Sequence, residues 1–396
     1  MAPTITEIEV TAFSYPIDDV GTDPNGFNLI YQPGNVHERK MFGLKIRTDT
    51  DVTGEYVAIA GFGENGPVAA QVNMMADYLL GTNPLDRERH WSELQRGFRK
   101  YDRMGIGPLD IALWDFAGKY HDAPIHQLLG TYRRRLPTYA STYLGDENGG
   151  LDSPQAYADF AEECLKMGYP AFKMHGWGGS DQRRDIDREI KTVHALDERV
   201  GEEMELMLDP ACEYETFADA LAVGRACDDA GFFWYEDPYR DGGLSQHGHR
   251  KLREFLDTPL LFGEHVRGLP IHTDLIANEA TDFVRADPEY DGGITGALKL
   301  ARVAEGFGLD CEIHSAGPAH RHCVAAMRNT NYYEMAVVGP ETIGSRELPV
   351  YDGGYQDSLD AIDADGTVPV PEDPGLGVTY DWQYIADNSI GNWIHD

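Results

Sequence analysis

Positive charge is scarce in this chain. Across 396 residues, 33 lysines and arginines face 67 aspartates and glutamates, a net charge of −34, and only nine of the 33 are lysine. Such a surface repels phosphate backbones and anionic lipid, which excludes nucleic acid and membranes as partners. Long apolar runs are missing too: no stretch approaches the ~20 residues of a membrane helix. The N-terminal MAPTITEIEV has no basic segment followed by an apolar one, so no signal peptide is expected and the chain reads as soluble. Cysteines are few and odd in number, and Cys164, Cys212, Cys227, Cys311 and Cys323 show no C-x-x-C spacing. That argues against a zinc ribbon or a disulfide framework, and for small core side chains in a reducing cytoplasm.

What is present is a core-forming composition, 42% hydrophobic and 11% aromatic, which excludes wholesale disorder. The acids are spread along the whole length rather than gathered in a tail. A surface this acidic repels itself unless counterions screen it, and the Debye length falls to ~3 Å at 1 M salt. The acidic, lysine-poor balance resembles that of proteins from salt-accumulating halophiles.

Residues 1–135 mix strand-like runs (Val10 to Tyr15, Met41 to Arg47) with a polar, Gly/Pro-rich segment at 18–34 that reads as a mobile loop. Helical patterning follows from Pro67 to Leu80 and from Pro108 to Leu129. From Leu136 the rhythm changes. Eight β-prone runs, at 137–142, 170–175, 205–209, 232–236, 259–264, 283–287, 309–314 and 331–337, alternate with helical segments. One helix is framed by Ser153 as N-cap and Gly168 as stop, and another runs from about Asp181 to Val200. No G-x-G-x-x-G follows the first of these strands. The alternation predicts an α/β fold, a parallel (β/α)8 barrel over 136–368, in preference to an open doubly wound sheet.

After the first, each strand-like run carries an ionisable residue at or near its C-terminal end: Lys173 and His175, Asp209, Glu236, Glu264, Asp287, His314 and Glu334. In a parallel barrel those ends open on one face, so residues 20 to 34 positions apart converge. Asp209, Glu236 and Glu264 offer only hard carboxylate oxygens, which suit Mg2+ and admit Mn2+. Lys173 and His175 alternate on one strand and face the same way. An Asp287–His314 pair orients an imidazole base, and Glu334 lies near the same centre. A lysine and a histidine beside a Mg2+ cradle fit removal of a proton next to a carboxylate.

Several longer motifs carry a resemblance. GIGPLDIALWDFAGKYHDAPIHQLLG (105–130), GYPAFKMHG, LDP, WYEDP, FGEH and ADPEYDGGITGALKLA are together similar to the enolase superfamily, specifically its mandelate racemase-like subgroup. The resemblance implies an α+β capping domain from residues 1–135, completed by 369–396, with loops at 18–34 and 60–67 closing over the substrate. It implies Mg2+ on Asp209, Glu236 and Glu264 chelating a substrate carboxylate, Lys173 as one base, and His314 with Asp287 as the second on the opposite face. Glu334 becomes a hydrogen-bond partner of an enediolate, and a symmetric homo-oligomer is favoured. One departure stands out: Lys173-Met174-His175 replaces the family's K-x-K, which leaves the strand-two base open. His265, Tyr143, Trp177 and His320 are candidate substrate contacts. The His247/His249 and His320/His322 pairs are poorly placed for a zinc hydrolase, and Arg133–Arg135 reads as a solvated or interface cluster. Barrel-mouth polarity favours dehydration of a sugar acid to a 2-keto-3-deoxy acid. Racemisation, epimerisation or lactone cycloisomerisation is the alternative, and a non-catalytic binding relative the remote one.

Overall fold

The computed structural model describes residues 2–22, 29–59, 66–142, 146–176, 185–239, 244–336, 339–341 and 347–396. The chain begins with a long antiparallel pair, β1 (Ile5–Thr22) and β2 (Leu29–Thr48), and β3 (Thr53–Ala58) adds to the free side of β2. Alternate residues Ile8, Val10, Leu44, Ile46 and Tyr56 bury the inner face. The loop expected at 18–34 is mostly this ribbon, with Asp18 opposite Val36 and Thr22 opposite Leu29. Ile17, Val20 and Leu29 pack into a small core with Val350 and Tyr380, and that burial overrides the turn-rich composition. Residues 23–28 and 60–65, the tips of the two expected loops, lie outside the described residues.

Helices α1 (Gly66–Leu79), α2 (Arg87–Gly97), α3 (Ile106–Tyr120) and α4 (Ile125–Leu129) follow. A Gly61-Phe-Gly63-Glu-Asn-Gly66 run precedes α1, but it follows an antiparallel edge strand and so is not part of a βαβ unit. The single helix expected over 108–129 is two. Asp122 turns into the left-handed region (φ 51°), and Pro124, with no N–H to donate, starts α4.

The alternation from Leu136 builds the expected barrel. Its elements are β4 (Arg135–Ser141), α5 (Pro154–Met167), β5 (Ala171–His175), α6 (Ile186–Val200), β6 (Glu205–Asp209), α7 (Phe217–Ala230), β7 (Trp234–Glu236) and α8 (Gln246–Arg253). They continue with β8 (Leu260–Phe262), α9 (Leu269–Ala277), β9 (Phe283–Ala286), α10 (Gly293–Gly306), β10 (Asp310–Ile313), α11 (Pro318–Ala326) and β11 (Tyr333–Ala336). Neighbouring strands from β4 to β10 pair in parallel, and β11 pairs in parallel with β4. β10 meets the β11 approach where the Cys311 N–H donates to the Asn329 carbonyl (2.8 Å) and the Glu312 carboxylate accepts from Asn331. Ser153 caps α5 by accepting from the Ala156 N–H, and Gly168 ends it in the left-handed conformation. Tyr139, Ala171, Met207, Trp234 and Leu261 fill the barrel interior as an apolar layer. All five cysteines are buried.

Beyond the barrel, β12 (Tyr351–Asp352) pairs with β14 (Thr379–Tyr380) and β13 (Thr367–Pro369) with β4. After α12 (Trp382–Asp387), β15 (Ser389–His395) returns to the outer side of β1. Arg134 and Arg135 are spent on this return, pairing with Glu372 and Asp363, while Arg133 donates to the Thr330 and Arg328 carbonyls.

Helix α3, apolar nearly all round, wedges between the first sheet and the barrel loop that carries Asp287. At Gly107 a Cβ would lie 2.1 Å from the Glu289 carbonyl oxygen. Gly107→Ala is therefore expected to destabilise the protein by ~1–3 kcal/mol, measured by thermal unfolding, because the backbone of the Asp287–Asp291 loop must shift.

Candidate active site

The parallel ladder carries the polar strand ends to one centre. Lys173, fully enclosed, has its Nζ 3.3 Å from Asp209 Oδ2, 3.1 Å from Glu236 Oε2 and 3.2 Å from Glu334 Oε1. Burial opposes its charge, but the Glu236 and Glu334 carboxylates outweigh that and hold its pKa well above the usual lysine range. His175, two residues along β5, puts Nε2 3.0 Å from Asp209 Oδ2. Its backbone N–H donates to Thr142 Oγ1, and its carbonyl accepts from the Tyr157 hydroxyl. Asp209 also accepts from the Ala211 N–H; against the cost of burial, His175 and Lys173 keep it well below the usual carboxylate range.

Asp209, Glu236 and Glu264 bring one carboxylate oxygen each to within 4.8 Å of one another. Three buried carboxylates at that spacing repel, and Glu236 is pushed up to about 7 by burial, with Asp209 and Glu264 adding to the rise against Arg285 and Lys173. A hard divalent cation relieves that repulsion and matches the all-oxygen donor set, so the residues fit Mg2+.

On the far side, His314 Nδ1 is 2.7 Å from Asp287 Oδ2, and its Nε2 is 3.3 Å from Glu264 Oε1. Burial lowers the imidazole pKa, but Glu264 and Asp287 more than offset it and raise it to about 9. Asp287 is itself held down: despite burial, His314 and His320 favour its charge, and the Glu289 N–H donates to Oδ1 at 2.7 Å. Glu334 accepts from the Ser315 N–H (2.7 Å) and ion-pairs with Lys173 and Arg285.

Of the four rim candidates, Tyr143 and Trp177 lie outside the described residues. His265 is half-exposed beside Glu264 (3.9 Å). His320 is 1% exposed, with its Nε2 3.6 Å from Asp287 Oδ1. His322 and His249 are core side chains, the first bridging the His126 N–H and the Leu376 carbonyl, the second stacked on Phe262 at 3.9 Å.

Sequence reasoning missed Arg285. It spans the barrel interior, with Nε 2.9 Å from Glu236 and Nη2 3.2 Å from Glu334 and 3.0 Å from the Tyr139 hydroxyl. The signal was present: Arg285, on β9, and Asp287, just past its end, alternate as Lys173 and His175 do on β5. Glu289 was missed as well. Buried and pushed up to about 7, it accepts from the Tyr56 hydroxyl and the Ile59 N–H, tying β3 to the Asp287 loop. Asp237, beside Glu236, is fully buried, and burial with Glu264, Glu236 and Asp209 nearby raises its pKa well above the ordinary value. A cavity of about 220 Å³ adjoins the site, lined by Arg39 and Ile59 from the first sheet and by Ser315–Gly317 just after His314.

Comparison with known proteins matches residues 30–130 to the mandelate racemase/muconate lactonizing enzyme N-terminal domain and 156–384 to the enolase C-terminal domain-like family. D-glucarate dehydratase from Agrobacterium tumefaciens, a structure solved with magnesium, superposes with a TM-score of 0.84 at 30% identity, over 98% of this chain and 99% of that one. D-xylonate dehydratase of Haloferax volcanii is 27% identical over 370 residues, 88% of this chain and 85% of the relative. L-talarate/galactarate dehydratase of Salmonella typhimurium is 29% identical over 267 residues, which span 65% of this chain and 63% of that enzyme. With both domains matched and the barrel in place, the chain belongs to the mandelate racemase/muconate lactonizing enzyme family of the enolase superfamily and is an enzyme.

Proposed function

We propose that this enzyme dehydrates a sugar acid to the 2-keto-3-deoxy acid. The observation that carries the reading is the pairing of Lys173 and the His314–Asp287 pair around one buried carboxylate trio, in a site rich in polar groups. Asp209, Glu236 and Glu264 would hold Mg2+, or Mn2+ in its place, and a bound ion would supply charge stabilisation to the substrate carboxylate as the α-proton leaves.

The chain's own residues do the rest. With Asp209 and Glu236 engaged by the ion, part of the charge that holds Lys173 protonated is withdrawn, and Lys173 Nζ or His314 Nε2 takes the α-proton while the electron pair left behind delocalises into the substrate carboxylate. Asp287 fixes the His314 tautomer through Nδ1, which leaves Nε2 for proton transfer. His314, once protonated, returns a proton to the departing β-hydroxyl. The C–O bond breaks, water leaves, and the enol tautomerises to the ketone. Glu334, which Lys173 and Arg285 hold well below its usual pKa against the cost of burial, is a hydrogen-bond partner at the same centre. His175, in the second lysine's place, shares Asp209 with Lys173 and tunes it. The other chain regions follow: residues 1–135 with 369–396 cap a barrel at 136–368, and Arg39 reaches the substrate cavity from the cap.

The test is a panel of acid sugars in D2O with Mg2+ and molar KCl, read by NMR. Loss of the α-proton signal with appearance of a 2-keto-3-deoxy product supports dehydration. Deuterium uptake with a change of configuration alone replaces it with racemisation or epimerisation.

We further infer that the enzyme works in a salt-rich cytoplasm as a homo-oligomer. The −34 charge with nine lysines supports the first, and the exposed Ile390, Trp393 and Ile394 on outer strand β15 support the second. Dilution from molar KCl into low-salt buffer is expected to unfold the protein, followed by circular dichroism; full stability in dilute buffer overturns the salt reading. Light scattering in molar KCl checks the assembly.

A further inference from the structure

The three strand ends that supply the hard carboxylates carry a second, softer donor set just beyond them. Cys212 follows Asp209 at the end of β6, Asp237 follows Glu236 at the end of β7, and His265 follows Glu264 after β8. A thiol sulfur, a carboxylate oxygen and an imidazole nitrogen from these residues lie within 4.8 Å of one another. Asp237 is 0% exposed, yet neither of its carboxylate oxygens has a hydrogen-bond partner among the described residues. A buried carboxylate without donors is costly, so one that persists calls for a cation. Ala211 (φ 51°), Cys212 (φ 62°) and Asp237 (φ 29°) all hold left-handed backbone here, and the Cys212 N–H bonds the Asp237 carbonyl at 2.8 Å, which fixes the two loops together.

We propose that Cys212, Asp237 and His265 form a second divalent-metal site for a zinc-class ion, beside the trio and chemically distinct from it. This goes beyond the dehydratase reading and does not depend on it. Thiolate and imidazole favour zinc-class ions, whereas an all-carboxylate set favours Mg2+, so the paired strand ends sort two metals by donor softness. Bond lengths of about 2.0–2.3 Å put ligand atoms roughly 3.5 Å apart on a tetrahedral ion. The three donors lie within 4.8 Å of one another, and the His265 ring reaches the site from the exposed side. Water completes the fourth position.

Cobalt(II) is the probe, because a thiolate bound to it gives a charge-transfer band in the near ultraviolet. The Mg2+-saturated protein is titrated with Co2+ in the absence of substrate. One further equivalent is expected to bind with that band, and Zn2+ is expected to displace it. Cys212→Ser should abolish the band, and Asp237→Asn should weaken Co2+ binding at least tenfold. Asp209→Asn, which removes a ligand of the trio alone, should keep the band. Absence of the band at saturating Co2+, or its survival in Cys212→Ser, overturns the site. So does an Asp237→Asn variant that lowers Mg2+ affinity and leaves Co2+ binding unchanged, since Asp237 then serves only water around the trio. Circular dichroism of each variant excludes loss of the fold as the cause.

Discussion

His314→Asn is expected to lower kcat for the preferred sugar acid by about 10³–10⁴-fold, the range that a positioned proton-transfer group supplies. The side chain keeps a polar group next to Asp287 but removes Nε2, the atom facing Glu264 at 3.3 Å. Folding and Mg2+ binding should survive, since the trio does not use it. Near-normal turnover in a folded variant sinks the assignment. A pH profile sharpens the test. In the metal-free protein the imidazole pKa is about 9, with Glu264 and Asp287 overcoming the burial that opposes charge. A pKa above the ordinary 6.5 means that this group's stabilisation is full below about 6.5 and fades as pH rises through about 9. Mg2+ on Glu264 withdraws the largest of the contributions that raise the pKa. The ring should therefore titrate at lower pH in the loaded enzyme, making a neutral base available nearer neutrality. Proton NMR of the imidazole with and without Mg2+ measures both positions, and an unchanged value contradicts Glu264 as a ligand.

The second large effect concerns the trio. Asp209→Asn is expected to abolish the Mg2+-dependent rise in Tm and to cut activity about 10³-fold or more, as fits the loss of several kcal/mol of charge stabilisation. In the parent protein Mg2+ at 100 times its Kd adds ~2.7 kcal/mol of stability, so the lost shift is well within reach of calorimetry. Lys173→Met provides the contrast. It leaves Asp209, Glu236 and Glu334 facing an apolar chain, and removing one partner from a buried ionic cluster costs ~3–5 kcal/mol. That variant should be destabilised most without metal and should recover part of the loss on adding Mg2+. A retained Mg2+ shift in Asp209→Asn refutes the metal assignment, whatever happens to activity.

These groups were legible in the sequence because a parallel barrel turns regular spacing into convergence. Asp209, Glu236 and Glu264 needed only strand ends and a common face, and the runs ELMLD, FFWYE and PLLFGE showed both. Arg285 escaped notice because one cation inside an apolar strand reads as pointing outward. Only the ring of carboxylates around it makes an inward guanidinium tolerable. Asp237 was hidden by its neighbour, since a residue next to a ligand reads as turn chemistry. In the first sheet, 18–34 looked like a loop because its Pro, Gly and Asp content outweighs its few apolar residues. The contacts of Ile17 and Val20 with Val350 and Tyr380 come from the far end of the chain, beyond the reach of local pattern. β15 was invisible for the same reason: SIGNWIH is a strand only because β1 offers it an edge.

That edge has a consequence for biosynthesis. Val10 pairs with Trp393 and Ile8 with His395, so the first strand of the chain waits for nearly the last before its sheet is complete. At 5–20 residues per second the wait is roughly 20–80 s, during which β1 emerges with one side unpaired while the barrel behind it is still being made. An acidic nascent chain repels its neighbours on a polysome throughout that interval, so the net charge of −34 also guards an open strand against premature pairing.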